Sequence, residues 1–460
     1  MKKFSVITPV DGSVLLEREY LPFSEVEKIV QKSKNAQKNW KNTPISQRVV
    51  QISKAVDYLV SHKEDIARMI TMQMGRPLSQ SAGEVRGLEE RARYMLGIAE
   101  KAMEDFIPRT RDGFETFIRR EPLGTILILA PWNYPFLTSI NSIIPALASG
   151  NTVILKHSSQ TPMVAEIFKD AFEFAGLPEG VFQILHIDHE DTMRLVGSEG
   201  IDFVAFTGSV EGGRVIQKAA SGRFIGLGLE LGGKDPAYVM EDSNLESAIE
   251  NLVDGSFFNS GQSCCGIERI YVVQSLYEKF VEGFVELTKK YQLGNPLEPS
   301  VNLGPMVRAK AAEFVRSQVG EALQKGAKSL IPDSHFAHEK MGTAYLGPRV
   351  LVNVSHEMQV MTEESFGPVI GIMPVKNDAE AIDLMNDSKY GLTASLWTED
   401  RQRAKQIGNQ IETGTVFMNR CDYLDPALAW TGVKDTGRGI SLSLLGYAQL
   451  TRVKSFHLKG

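Results

Sequence analysis

Hydrophobic positions in the first hundred residues recur at helical spacing. Val26, Ile29 and Val30 make one stripe, Val49, Ile52, Val56, Leu59 and Val60 a second, and Ile66, Met69 and Ile70 open a third. The spacing predicts a run of amphipathic helices, with Ser24 and Glu27 as a capping box for the first. The texture changes at Phe114. Asp112-Gly113 is a hairpin-type turn, and residues 115–121 alternate charged and apolar side chains, as an exposed two-stranded ribbon would. From Thr125 onward, short apolar runs (125–130, 152–156, 182–187, 202–206 and 224–229) alternate with helix-length stretches such as 163–175 and 190–197. Short buried strands separated by helices predict right-handed crossovers and a mostly parallel sheet. The pattern resumes after Cys264, with strands expected over 269–273, 369–374, 394–397 and 415–419. Two α/β lobes follow, and no tandem repeat, low-complexity segment or Ser/Gly-rich linker separates them.

Composition narrows the function. With 460 residues, 43% hydrophobic and 23% charged, the chain has the balance of a soluble globular protein, too apolar for intrinsic disorder. A net charge of −6 with both signs interspersed gives no basic face for nucleic acid. The apolar runs, such as 125–130, are far shorter than the roughly 20 residues of a membrane span. Lys2 and Lys3 imitate the start of a secretory signal, but Thr8, Pro9 and Asp11 interrupt any apolar stretch behind them. The three cysteines, Cys264, Cys265 and Cys421, form neither a disulfide framework nor a zinc-ligand spacing. A cytoplasmic, reduced protein without a metal site is expected.

Three local features carry candidate chemistry. Cys264 follows a small, polar approach, Gly261-Gln262-Ser263, that leaves a thiol accessible, although a cysteine is also an ordinary small core residue. Glu230 ends an apolar strand and precedes Leu231-Gly232-Gly233-Lys234; taken singly, a strand-end glutamate is usually just solvated. Phe206-Thr207-Gly208-Ser209 runs from a strand through a glycine turn into a helix, which aims N-terminal amides at an anion such as a pyrophosphate. Its glycine spacing is not the three-glycine dinucleotide fingerprint.

Taken in order, Pro131-Trp132-Asn133-Tyr134-Pro135, Phe206-Thr207-Gly208-Ser209, Glu230-Leu231-Gly232-Gly233-Lys234, Gly261-Gln262-Ser263-Cys264 and Glu364-Ser365-Phe366-Gly367-Pro368 resemble the NAD(P)-dependent aldehyde dehydrogenase superfamily across nearly the whole chain. Glu230 precedes Cys264 by 34 residues, as in that family. The resemblance implies an α/β fold with a Rossmann-type cofactor domain (1–108 and 125–231), an α/β catalytic domain (232–425), and a small β oligomerisation arm with a C-terminal segment (109–124 and 426–460). It implies Cys264 as the nucleophile, Asn133 as an oxyanion donor, and Glu230 as the base that hydrolyses the thioester. The presence of Glu230 favours release of a free acid over the alternative, transfer of the acyl group to coenzyme A. A non-catalytic relative would be expected to lack Cys264, Glu230 or Asn133, and all three are present.

By the same resemblance, NAD or NADP is bound by Trp132, Lys156, Ser159, Gly208, Ser209, Leu231, Glu364 and Phe366. Lys234 receives no catalytic role, and Asn419 resembles a supporting position. After Lys156, the residues His157-Ser158-Ser159 stand where many NAD-preferring members have Pro, a small residue and Glu. Ser159 therefore reads as permissive for NADP. The aldehyde pocket is expected at Tyr134, Thr138, Asn141, Ser263 and Cys265, small and polar enough for a semialdehyde or small hydroxyaldehyde, with Tyr423, Leu424 and Trp430 closing its outer end. No carboxylate-binding arginine can be placed from the sequence, and Arg420 and Arg438 are only candidates. Cys265 reads as pocket wall rather than half of a vicinal disulfide. The ribbon at 111–122 and the segment 452–458 resemble the oligomerisation arm, which implies a homodimer or homotetramer.

Overall fold

A computed structural model describes residues 2–110 and 112–460. The five predicted apolar runs, joined by an unpredicted edge strand, Gly437–Arg438, form a six-stranded sheet in the order Gly437–Arg438, Gly226–Glu230, Phe203–Thr207, Thr125–Ala130, Thr152–His157 and Phe182–Ile184. Its strands are parallel except Gly437–Arg438, which runs antiparallel at the edge. Every residue of Thr125–Ala130 is buried, because strand periodicity of two loads both faces. Ile126, Ile128, Val153 and Leu155 face one core with helices Ile45–Ser61, Leu78–Gly97 and Pro135–Ala148. Leu127, Leu129, Ile154 and Val204 face a second core with helix Val210–Ala220.

The second lobe holds a seven-stranded sheet in the order Lys328–Ser329, Arg349–Val352, Val369–Val375, Ile267–Val273, Asp235–Val239, Thr393–Trp397 and Thr415–Met418. All its pairings are parallel except that of Lys328–Ser329 with Arg349–Val352. Strand Asp235–Val239 was not expected, since Pro236 and the preceding glycine pair disguise it. It joins the site loop at Gly232-Gly233 directly to the centre of this sheet. The strong alternation of both sheets puts the carboxyl ends of their strands where crossover loops emerge, the usual place for ligands in such sheets.

Several local expectations are corrected. The first residues are not helical: Lys3–Ile7 and Val14–Glu19 form an antiparallel hairpin. Its turn carries Asp11-Gly12, with Gly12 at φ 80°, the turn signal that marks it in the sequence. The first helix spans Phe23–Trp40 with Pro22 at its N-cap, so Ser24 lies in the first turn and caps nothing. The strand expected at 224–229 begins only at Gly226, and Phe224 projects fully into solvent.

Phe114–Pro122 pairs along its whole length with Thr451–Lys459, and Phe117 stacks on Phe456 with centroids 4.4 Å apart. Arg111, the first residue of the ribbon expected at 111–122, lies outside the described residues. Among the described residues no helix is long and apolar enough to cross a membrane.

Candidate active site

The residue expected as nucleophile sits where the chain reverses sharply. Helix Leu245–Phe257 is followed by Asn259, Ser260 and Gly261, all in the left-handed region at φ 54°, 56° and 71°. Left-handed backbone is costly for non-glycine residues, and side-chain bonds hold it here. Asn259 Nδ2 donates to the Gln262 carbonyl (3.2 Å), Gln262 Nε2 to the Asn259 carbonyl (3.1 Å), and Ser260 Oγ to the Gly304 carbonyl (2.8 Å). At Gly261 a Cβ would stand 2.4 Å from the Gly367 carbonyl oxygen, so this turn admits only glycine. Cys264 emerges part-exposed, whereas Cys265 is buried at 5% exposure beside Ser263 Oγ (3.5 Å). Both are free thiols. Hydrogen bonding to Cys265 and burial push the Cys264 thiol well above its usual range; Cys265, accepting from Cys264, moves the other way.

Asn133 is brought to the same place from the first lobe. Its Nδ2 donates to the Gln262 carbonyl at 3.2 Å, which leaves the second amide hydrogen free for an oxyanion. The supporting residues were invisible in the sequence. Arg76 donates to the Asn133 carbonyl and, at 3.0 Å, to Asn259 Oδ1, lies 4.4 Å over the Tyr134 ring, and pairs with Glu84 at 2.5 Å with both side chains fully buried. Glu84 in turn accepts the N–H groups of Phe136 (2.7 Å) and Leu137 (3.1 Å), capping helix Pro135–Ala148. A buried pair of this kind stands only because every lone pair and proton finds a partner.

Glu230 ends strand Gly226–Glu230 and accepts from Ser441 Oγ at 2.5 Å and from Thr207 Oγ1 at 3.4 Å. Burial pushes its carboxyl above the usual range, and its charge is felt at Cys264, though no hydrogen bond joins the two among the described residues. Trp430, expected at the outer end of the pocket, is instead buried, and its backbone exchanges hydrogen bonds with Ser441 (2.8 and 2.9 Å). It braces the Glu230 partner rather than closing a channel. Tyr423 donates to Glu90 at 2.7 Å, and Leu424 packs with Cys264 and Trp132 on the first core.

Of the expected pocket residues, Tyr134, Ser263, Cys265, Thr138 and Asn141 line one region: Tyr134 is hydrogen-bonded to Ser263, Thr138 Oγ1 donates to the Tyr134 carbonyl (2.7 Å), and Asn141 is buried on the same helix. Arg420 and Arg438 are both exposed, and Arg420 covers the Tyr423 ring at 4.0 Å.

The residues expected around a dinucleotide are incompletely satisfied by the protein itself. Lys156, at the carboxyl end of Thr152–His157, is mostly buried, has no hydrogen-bond partner among the described residues, and is lowered from the usual lysine range by that burial. Glu364 accepts the Gly233 N–H at 3.0 Å through one oxygen only, and burial followed by the Glu268 charge raises its pKa to about 8. An unpartnered cation and a half-satisfied carboxyl suit ribose hydroxyls and phosphate oxygens. Phe366, at φ 49°, meets Trp132 edge-on with centroids 5.6 Å apart. Its loop is pinned by Glu268, which accepts the N–H groups of Ser365 (2.8 Å) and Phe366 (2.9 Å) and pairs with buried Lys234 at 2.5 Å.

Ser209 caps helix Val210–Ala220 by accepting the Gly212 N–H at 3.1 Å. Gly208 gives its N–H to the Glu230 carbonyl (3.0 Å), and a Cβ there would lie 2.6 Å from the Phe206 ring. The Leu231 N–H is used by the Thr436 carbonyl (3.0 Å), so only its side chain, packed on Gly213, remains as contact surface. Ser159 is exposed beside Lys156. Asn419 exchanges hydrogen bonds with Thr398 at 2.8 and 3.1 Å.

His157 is a structural device of the same loop. Its ring contacts the Pro135 carbonyl (3.1 Å) and Thr161 Oγ1 (3.0 Å), and burial lowers its pKa to about 3. The native state keeps the ring neutral while the unfolded chain protonates near 6.5, so its contribution is complete above pH 6.5 and is lost as pH falls toward 3. We expect it to remove about 2 kcal/mol of stability by pH 5. Thermal midpoints measured from pH 8 to pH 5 should fall less steeply in His157→Gln than in wild type; parallel curves would refute this.

A family model described as the aldehyde dehydrogenase family matches residues 1–456. An NAD(P)+-dependent succinate semialdehyde dehydrogenase of Escherichia coli is 32% identical over 98% of this chain and 96% of its own. Among solved structures, an NADP-dependent glyceraldehyde-3-phosphate dehydrogenase from Bacillus halodurans, complexed with NADP, superposes with TM-score 0.94 at 33% identity, covering 100% of this chain and 96% of that one. A betaine aldehyde dehydrogenase from Staphylococcus aureus in complex with NAD+ gives TM-score 0.94 at 27% identity over 100% and 92%. With a cysteine, an asparagine and a glutamate gathered between two α/β lobes, and a family match over nearly the whole length, the chain belongs to the aldehyde dehydrogenase family and is an oxidoreductase acting on aldehydes.

Proposed function

We propose that this enzyme oxidises small polar aldehydes, semialdehydes included, to carboxylic acids with NAD or NADP, through a thioester on Cys264 that Glu230 opens to water. The observation that carries this reading is the meeting of part-exposed Cys264, Asn133 with a free amide hydrogen, and buried Glu230. The Cys264 thiol gives its proton to water and its sulfur adds to the aldehyde carbon. The oxygen, now an alkoxide, is held by Asn133 Nδ2 and the Cys264 N–H, donors whose removal typically costs about 100- to 1000-fold. A dinucleotide held by Lys156, Ser209 and Glu364 would supply the hydride acceptor that turns the Cys264 adduct into a thioester. Glu230 then takes a proton from water, the hydroxide adds to the thioester carbon, and the Cys264 sulfur departs with the proton returned. A base raised by burial is stronger than a surface carboxylate, which suits that task. The closed contact of Glu230 with Ser441 and Thr207 supports hydrolysis over acyl transfer to coenzyme A.

Residues 1–108 and 125–231 serve in this reading as the cofactor domain, 232–425 as the catalytic domain, and 109–124 with 426–460 as arm and C-terminal segment. The ribbon formed by Phe114–Pro122 and Thr451–Lys459 exposes Val453 and Leu458, which supports a homodimer or homotetramer built through it.

The test is kcat/KM for a panel of aldehydes with each cofactor, followed by reduced-cofactor absorbance. Exposed Ser159 beside unpartnered Lys156 supports use of NADP, so Ser159→Glu is expected to shift the NADP/NAD ratio of kcat/KM at least about tenfold toward NAD. The new carboxylate would face a 2′-phosphate at a cost on the order of 1–4 kcal/mol. A wild type that uses NAD a hundredfold better, or a ratio unmoved by the substitution, overturns the NADP assignment. No oxidation of any aldehyde with either cofactor overturns the function.

A further inference from the structure

The buried arginines of this protein are almost all saturated. Arg76 spends its nitrogens on Asn259, Glu84 and the Asn133 carbonyl, Arg269 on carbonyls of Lys234, Leu384, Met385 and Asp387, and Arg349 on Glu339 and neighbouring carbonyls. Arg91 is different. It projects from helix Leu78–Gly97, is 7% exposed, and uses only Nη1, which donates to Asn141 Oδ1 and the Leu137 carbonyl, each at 3.3 Å. No carboxylate lies within ion-pair distance of it among the described residues. Nε and Nη2 have no hydrogen-bond partner among the described residues and are not among the fully buried unpartnered atoms, so both keep accessible surface. The bonds to Leu137 and Asn141 seat the guanidinium against helix Pro135–Ala148, which also carries the expected pocket residue Thr138, and the charges of Cys265, Glu230 and Cys264 act on it.

A cation nine-tenths buried without a counter-ion is expensive to keep. Adjacent Nε and Nη2 donors form the side-on fork that matches a planar carboxylate. Asn141 holds the guanidinium in that orientation, which explains a small polar residue at this pocket position. We propose that Arg91 is the receptor for a carboxylate at the far end of the substrate, and that it makes the enzyme selective for short ω-carboxylate aldehydes. The inference rests on the aldehyde-oxidising reading above and names the substrate class of that site. Arg91 was absent from the sequence-based candidates because helix Leu78–Gly97 also carries Arg86, Glu89, Glu90 and Arg93 as exposed or half-buried charge, and nothing in the pattern marks one as inward.

The experiment compares succinic semialdehyde with butanal, equal in chain length and differing in the terminal charge, in wild type, Arg91→Ala and Arg91→Lys. Wild type should favour the semialdehyde. Arg91→Ala should lose on the order of 100-fold in kcat/KM for it, mainly through KM and at least tenfold more than for butanal, with partial recovery in Arg91→Lys. Glyceraldehyde 3-phosphate is the phosphate arm, and a wild-type preference for it over the semialdehyde overturns the carboxylate assignment. Should Arg91→Ala fail to fold, wild type alone decides: succinate should slow iodoacetamide labelling of Cys264 more than butyrate does, and equal protection counts against the proposal. Equal losses on both aldehydes would make Arg91 a counter-ion of Glu230 instead. Wild-type turnover of butanal as fast as of the semialdehyde removes the role of Arg91 alone, whereas no turnover of either removes the aldehyde-oxidising reading.

Discussion

Replacing Cys264 by alanine is expected to abolish aldehyde oxidation, a loss of at least roughly ten-thousand-fold, because no later step can proceed without the covalent bond. The variant should stay folded and still bind reduced cofactor, since a part-exposed thiol contributes little packing. The neighbouring thiol makes this a sharp test. Cys265 stays in place in Cys264→Ala, but it is buried against the first core beside Ser263, whereas Cys264 is part-exposed. Its thiol no longer receives a hydrogen bond from Cys264, which removes the first cause of its lowered pKa. Both effects predict an inert residue. Iodoacetamide should label Cys264 first in wild type, and bound aldehyde should slow that labelling. Turnover surviving in Cys264→Ala and lost in Cys265→Ala would move the nucleophile to the second thiol.

How much of this was legible in the sequence depends on what each residue is answering to. The alternation of buried strands with helices from Thr125 to Glu230 is written in the local pattern, since a two-faced parallel strand is apolar at every position. The N-terminal hairpin was not, because most of its residues are exposed and only Val6 is well buried. The site motifs were visible as motifs because their glycines answer to near contacts, as Gly261 does to the Gly367 carbonyl and Gly233 to the Cys264 carbonyl. The residues that hold those motifs were not. Arg76 and Asn259 act on Asn133 from 57 and 126 positions away, Glu84 on Phe136 from 52, and Lys234 with Glu268 pins a loop almost a hundred residues downstream. In a sequence such residues look like surface charge; only the fold turns them inward and pairs them. Ser441 belongs to the same class, a serine near the C-terminus that becomes the nearest partner of Glu230.

Glu230→Gln is expected to separate hydride transfer from hydrolysis. Glutamine keeps the shape, can still accept from Ser441 through its amide oxygen and can turn its amide nitrogen as a donor toward Thr207 Oγ1, so the loop between the lobes should hold. It cannot take a proton from water, and loss of a general base typically costs about 100- to 10,000-fold in the step it serves. Under rapid mixing at enzyme concentrations comparable to cofactor, the variant should show a burst of reduced cofactor close to one equivalent per site, then a steady state slowed by that factor. Acid quenching during the slow phase should trap an acyl group on Cys264. The pH profile supplies an independent check. Burial raises the Glu230 carboxyl above the ordinary glutamate range, so the acid limb of wild-type turnover should lie above that range, and Glu230→Gln should lose it. Wild-type turnover in the variant removes Glu230 from the mechanism. Loss of the burst together with the steady state would assign Glu230 to an earlier step, deprotonation of the Cys264 thiol. That reading has physical footing, because the same burial that makes Glu230 a stronger base also holds the thiol protonated, and its negative charge adds to the upward shift at Cys264. The burst amplitude decides between the two, since only a thiolate formed without Glu230 can reach the thioester.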